Sequence, residues 1–329
     1  MTLNHSFFMQ LAINEAWKYQ GLTLPNPAVG CAITRGNEIL AIEAHKEAGK
    51  PHAEVLALQS AFFHLTADKQ ILTLSNSSQI HEYLTTHHNG AFADCTLYTT
   101  LEPCNHHGKT PPCSQLIEAM QIKQIFFGSY DPHSKGGENR LNAFAHTEQV
   151  LASECDNLLF PFLEYKKKSL ILYKYASTLN GVTSGGYLSC ETSLQKVHAL
   201  RNKIDLLVIG GNTVRTDRPT LDARLVNGKA PDVMIYSTRD DFDKSIPLFQ
   251  VPSRKVIVTS DKSILKDYQH ILIEGSDTLM KCFASEIDLY LLYLCPKLST
   301  ATPMNLKQSF TFLHTKPSGV DIEIWAKKQ

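Results

Sequence analysis

"CTLYTTLEPCNHHGKTPPC", residues 95–113, governs how the rest of the chain is read. Its first half is an unbroken apolar and β-branched run, the pattern of a strand covered on both faces. Pro103 ends that run, a cysteine stands on each side of the next eight residues, and "CSQLIEAM" (113–120) starts a helix. Upstream, "HAEVLALQSAFFHL" (52–65) has helical spacing and begins at or near His52. Before it, "AVGCAIT" (28–34) and "EILAIEA" (38–44) read as two strands around the turn "RGNE". "SFFMQLAINEAWKY" (6–19) reads as a helix stopped by Gly21, and "IKQIFFGSYDP" (122–132) holds a further strand. Alternation of this kind predicts an α/β layer fold. Residues 66–92 are rich in Ser, Thr, Asn and His with weak periodicity, and read as an insertion.

The chain of 329 residues is long for one core, which favours two domains. "EYKKKS" (164–169) reads as a short basic hinge after a helix. The division expected is therefore 1–150, a helical connector at 151–168, and 169–329. The second part restarts with a strand in "LILYKYASTLNG" (170–181) and a helix in "TSLQKVHALRNK" (192–203). "IDLLVIGG", "DVMIYS", "RKVIVTS", "QHILIEG" and "EIDLYLLYLCPKL" follow as short β-rich runs, then two weaker strands. This half is again α/β.

Lys+Arg and Asp+Glu both number 32, so the chain lacks the basic excess of a nucleic-acid binder. No apolar run reaches the ~18 residues of a membrane helix, and the polar first residues do not suit a signal peptide. A cytoplasmic protein is expected, with its eight cysteines as thiols or metal ligands. Most of the cysteines stand alone among apolar neighbours and read as small core residues. Cys104 and Cys113 differ, because His52 supplies a third zinc-type ligand and leaves one tetrahedral position for water. Glu54, two residues after His52, is placed to move a proton without binding the metal. The order H-x-E, then P-C-x-x-C, is the zinc-deaminase arrangement. Here eight residues separate the cysteines instead of two, and Gly108, Pro111 and Pro112 suit the outward turn that would close the longer loop. A structural zinc, or no metal at all, is the bland alternative, which Glu54 and the strand-to-loop placement of Cys104 argue against.

"PNPAVGC" (25–31), "HKEAGKPHAEVLAL" (45–58), "TLEPCNHHGKTPPC" (100–113) and "SYDP" (129–132) together resemble the bifunctional deaminase–reductase family of riboflavin biosynthesis. The long spacer ending in "HHGKTPPC" is a mark of that family among deaminases. Weaker likeness continues through "VHALRNKID", "GGNTVRTDRPTLDAR" and "LCPKL". The resemblance implies a cytidine-deaminase-like three-layer domain followed by a dihydrofolate-reductase-like α/β domain. It implies zinc on His52, Cys104 and Cys113, with Glu54 as proton donor. It places Asn26, His45, His106 and Lys109 near a phosphorylated pyrimidine substrate. In the second domain it places Arg201, Leu221, Arg224 and Glu274 near the substrate. Ala176, Thr213, Asp217 and Ser237 fall near NADPH, with Tyr187 where the family has Trp. Asp217 would also act at the reacting carbon. Two rival readings stay open from sequence: a deaminase whose second domain does not reduce, and a tRNA-type deaminase. A homo-oligomer is left open as well.

Overall fold

The computed structural model describes residues 4–329 apart from 109, 133–135 and 187. Lys109 and Tyr187 thus lie outside the described residues. Two compact units divide after Phe162.

In the first unit the elements run α1 (His5–Trp17), β1 (Gly30–Arg35), β2 (Glu38–Ala44), α2 (Ala53–Thr66), α3 (Ser77–His87), β3 (Cys95–Leu101), α4 (Cys113–Ala119), β4 (Gln124–Ser129), α5 (Glu138–Leu141), β5 (His146–Gln149) and α6 (Ala152–Lys167). The sheet order is β2-β1-β3-β4-β5, with β1 antiparallel to both neighbours and β3, β4 and β5 parallel. Central β3 is buried along almost its whole length, as its continuous apolar run requires. Alternate residues of β1 face opposite layers. Cys31 and Ile33 join the core with Val55, Leu58 and Phe62 of α2, while Gly30 lies against α1. A Cβ at Gly30 would enter the Ala12 carbonyl, which as backbone cannot move aside. The Gly30 N–H donates to Thr100 Oγ1 at 3.0 Å, fixing this close approach. Gly30→Ala is therefore expected to cost about 1–3 kcal/mol by overpacking, seen as a lower urea midpoint.

Two readings of this unit need correction. Residues 77–87 form a true helix, although their composition obscures it. Asn76 caps its first turn, and Ile80 and Leu84, one helical turn apart, enter the core. "EYKKKS" is not a hinge either, since α6 runs unbroken to Lys167. The Glu164–Lys167 pair at 2.8 Å and the lysines at the C-terminal end suit a helix terminus. The two compact units part within this helix.

The second unit runs β6 (Leu170–Thr178), α7 (Glu191–Arg201), β7 (Leu206–Gly210), α8 (Gly211–Asp217), β8 (Asp232–Tyr236), β9 (Val256–Thr259), β10 (His270–Glu274), α9 (Asp277–Cys282), β11 (Leu289–Cys295), β12 (Phe310–Ser318) and β13 (Asp321–Lys328). Its sheet order is β12-β13-β11-β6-β10-β7-β8-β9, parallel from β11 to β9, with an antiparallel β12–β13 ribbon at one edge. The closing strands are long rather than weak. Trp325 is buried, and its indole N–H donates to the buried Glu323 at 2.9 Å.

Both units are α/β, as read from the sequence. All eight cysteines are free thiols. Cys31, Cys95, Cys155 and Cys295 are core residues, whereas Cys190 is half-buried and Cys282 exposed. Among the described residues, no helix is long and apolar enough to cross a membrane.

Candidate functional sites

His52 is the N-cap of α2, and its ring makes no capping hydrogen bond. The imidazole is thus available for other partners. Cys104 follows β3 on the loop, and Cys113 opens α4. The spacer closes because Ser114 N–H donates to the Cys104 carbonyl at 3.1 Å and Cys113 N–H to Cys104 Sγ at 3.4 Å. Residues 105–108 bulge to the surface. Nδ1 of His52 lies 3.8 Å from Cys104 Sγ and 3.4 Å from Cys113 Sγ. All three donor atoms fall within 4.8 Å of one another. Ordinary zinc–sulfur and zinc–nitrogen bonds at tetrahedral angles require ligand separations of about 3.6 Å. The residues present therefore fit zinc.

The electrostatics agree with that fit. Cys104 is pulled below the usual thiol range by the hydrogen bond with Cys113 and by His52, against burial. Cys113 is pushed up by that same hydrogen bond and by burial. The pair thus shares a proton that a bound cation would displace. Glu54 is buried in the first turn of α2, and burial pushes its carboxyl up to about 7 against the pull of His52.

Asn26 and His45 come together beside this centre. Asn26 Nδ2 donates to His45 Nε2 at 3.1 Å, and His45 Nδ1 donates to the Pro51 carbonyl at 3.1 Å. Burial lowers His45 to about 4, so the ring is neutral and can accept from Asn26. The His45 and His52 rings meet edge to face, 5.6 Å between centroids. His106 stands on the exposed loop. Sequence reasoning missed Glu102. Its carboxylate accepts from the Asp131 and Glu138 N–H groups at 3.0 and 2.7 Å. It thereby ties Asp131 and Glu138 to the end of β3, close to Cys104, which bridges to Gly136.

In the second unit, Arg201 and Glu274 form a two-pronged pair. Nε and Nη2 of Arg201 donate to the two carboxylate oxygens at 2.8 and 2.9 Å. Burial alone would raise Glu274, but Arg201 and Lys174 hold it below the usual range. Lys174, which the sequence did not single out, is the register partner of Glu274 across β6 and β10. Arg201 also donates to the Asp222 carbonyl at 3.3 Å, and Arg224 to the Asp222 carboxylate at 2.8 Å. Leu221 is buried with φ of 56°, a strained value for a branched residue. Arg254 holds it there by donating to the Leu221 and Thr220 carbonyls at 2.8 and 2.6 Å.

Ala176 lies on β6, Thr213 on α8, and Ser237 just past β8. Gly211, at the start of α8, packs so closely on Ser237 that a Cβ there would sit 2.8 Å from its side chain. Asp217 is exposed at the end of α8 and has no hydrogen bond or ion pair among the described residues.

Residues 2–129 match the "Cytidine and deoxycytidylate deaminase zinc-binding region" family, and residues 170–304 match the "RibD C-terminal domain". Riboflavin biosynthesis protein RibD of Actinobacillus pleuropneumoniae is 33% identical over 292 residues, covering 85% of this chain and 67% of that one. RibD of Aquifex aeolicus is 28% identical, covering 88% and 86%. A Thermotoga maritima structure superposes with a TM-score of 0.66 at 25% identity, over 99% of both chains. That protein is described as a diaminohydroxyphosphoribosylaminopyrimidine deaminase/5-amino-6-(5-phosphoribosylamino)uracil reductase. RibD of Acinetobacter baumannii shares the fold at a TM-score of 0.59 and 23% identity, over 99% of both chains. A chain that carries both domain families in this order, and resembles RibD across most of its length, belongs to the RibD family of riboflavin-biosynthesis deaminase–reductases.

Proposed function

We propose that the first unit hydrolytically removes the 2-amino group of 2,5-diamino-6-ribosylamino-4(3H)-pyrimidinone 5′-phosphate, and that the second then reduces the ribosyl to a ribityl chain with NADPH. The observation that carries the first half is a buried carboxylate, Glu54, beside three converging zinc-type ligands. Zinc held by His52, Cys104 and Cys113 would lower the pKa of water towards neutrality. Glu54 takes a proton there and returns it to the ring and the leaving ammonia. Asn26, oriented by neutral His45, keeps its carboxamide oxygen for a pyrimidinone edge. His106 and Lys109 belong to the loop suited to the substrate's phosphate.

For the second half, the support is the RibD C-terminal domain match together with the grouping of Arg201, Leu221, Arg224 and Glu274. Ala176, Thr213, Ser237 and Tyr187 are the residues we assign to NADPH. Asp217 is assigned to the reacting carbon, with a carboxylate that stabilises developing positive charge. NADPH as reductant and the free thiols accord with a cytoplasmic setting.

The test is one assay series on the full chain, following ammonia release and NADPH oxidation. Given the deaminated ribosylaminouracil, the protein should oxidise NADPH; given the diamino substrate, only after ammonia appears. Asp217→Asn should lower turnover more than it weakens NADPH binding, because a charge beside the reacting carbon is felt mainly in the transition state. Unchanged turnover in that variant would remove Asp217 from the reaction. Ammonia release with no NADPH oxidation at all would leave a deaminase with a non-reducing second unit.

A further inference from the structure

Eight described residues other than glycine have a positive φ. Seven of them are exposed or half-buried, and Ala67 and Arg218 among these simply close helices. Leu221 is the buried one, and its bulky side chain makes a φ of 56° costly. Strain of this kind persists only where the surroundings over-determine it, and it gathers at ligand clamps and active sites.

What over-determines Leu221 is Arg254, two residues before β9. All three of its guanidinium nitrogens donate to main-chain carbonyls. Nη2 reaches Thr220 and Leu248 at 2.6 Å each, Nη1 reaches Leu221 at 2.8 Å, and Nε reaches Leu248 at 3.2 Å. Leu248 in turn donates its own N–H to the Pro219 carbonyl at 3.0 Å. The chain from Pro219 to Leu221 is thus gripped from one side. From the other side α7 holds the residues that follow, through Arg201 on the Asp222 carbonyl and His198 Nδ1, which accepts from the Leu225 N–H at 3.4 Å. Arg224 lies between these anchors, with its exposed guanidinium on the Asp222 carboxylate. A relaxation of Leu221 to negative φ would redirect the chain after it and carry Asp222 and Arg224 away from Arg201.

We propose that Arg254 is a positioning residue for the substrate of the second unit: it locks Leu221 in the left-handed conformation and so presets Arg224 beside Arg201 for a sugar phosphate. The inference rests on reading Arg201, Leu221 and Arg224 as substrate residues. Arg254 acts through main-chain carbonyls, and none of its hydrogen bonds goes to Ala176, Thr213 or Ser237, the residues assigned to NADPH. A loop already in its binding conformation spares the substrate the cost of ordering it. Only a planar fork of donors can span three carbonyls at once, which the point charge of a lysine cannot.

The experiment uses the full-length protein with NADPH and the deaminated ribosylaminouracil phosphate, and follows D-ribose 5-phosphate binding by calorimetry as a probe free of turnover. Arg254→Met should raise the KM for the ribosylaminouracil and the Kd for ribose 5-phosphate about tenfold, as the competent loop population falls. Both kcat and the Kd for NADPH should stay within about twofold of the parent, because binding lost equally from ground and transition states leaves turnover unchanged. Arg254→Lys keeps the charge and loses the fork, so it should follow the methionine variant rather than the parent. It also carries the test if the methionine variant does not fold. A variant that binds NADPH normally and keeps the parent KM and ribose 5-phosphate affinity overturns the proposal. So does an equal loss of NADPH and ribose 5-phosphate binding in both variants, since that outcome reports a role in the fold alone. A parent protein that neither binds ribose 5-phosphate nor oxidises NADPH would instead remove the substrate reading, and this inference with it.

Discussion

Glu54→Gln is expected to keep its zinc and to lose ammonia release by at least ~10²-fold. Glutamine fills the same buried space at the start of α2, so the ligand geometry has no reason to change. What it cannot do is carry a proton between water, ring nitrogen and leaving ammonia. The carboxyl it replaces is the buried acid of the first turn, and its setting favours a group that both takes and gives a proton. Zinc content and ammonia release measured on one sample decide the matter. Near-normal release with full metal would place the proton carrier elsewhere.

Cys113→Ser is expected to lose zinc and deamination together. A serine hydroxyl stays protonated at neutral pH and is a poor zinc ligand, whereas the thiol ionises as the metal binds. Two donors would then remain, on separate elements. The loss should also appear in stability, because a ligand that binds only the folded chain raises its melting point by mass action. Added zinc should raise the melting point of the parent protein and leave that of the serine variant unchanged. A serine variant that retains one zinc per chain and normal turnover would refute the ligand set.

Much of the first site could be read from the sequence because it is built locally. His52 and Glu54 are fixed by one helix start, and Cys104 by one strand end. The eight-residue spacer is the uncertain joint, and the N–H groups of Ser114 and Cys113 close it by donating to the Cys104 carbonyl and Sγ. His45 was named without its role, since the bond to Asn26 spans 19 residues and the bond to Pro51 depends on a turn. Glu102 went unnoticed because its partners are backbone N–H groups 29 and 36 residues away. The helix at 77–87 was hidden by its polar composition, in which only Ile80 and Leu84 mark a buried face.

The second unit was less legible for a related reason. Arg201 and Glu274 are 73 positions apart, and only the parallel pairing of β6, β10 and β7 brings them together. A periodic pattern gives each strand but not its neighbours, because a parallel sheet sets strand order through long crossovers. Lys174 shows the same limit. As a lysine inside an apolar strand it has no local signal, and its meaning comes from the register that sets it beside Glu274.

The helix shared by the two units bears on how this protein could be taken apart. A first domain ended at residue 150 would forfeit the whole of α6. Gln20 would lose its acceptor, the Leu158 carbonyl at 3.2 Å, and Ser129 its bond to Asp156 at 2.6 Å. The surface around Gly128, whose missing side chain makes room for Cys155, would open to water. A cut placed after the helix keeps all three contacts. The first turns of α6, up to Phe162, are therefore part of the deaminase fold, and a gene split upstream of this helix would deliver a fragment with an unfinished core.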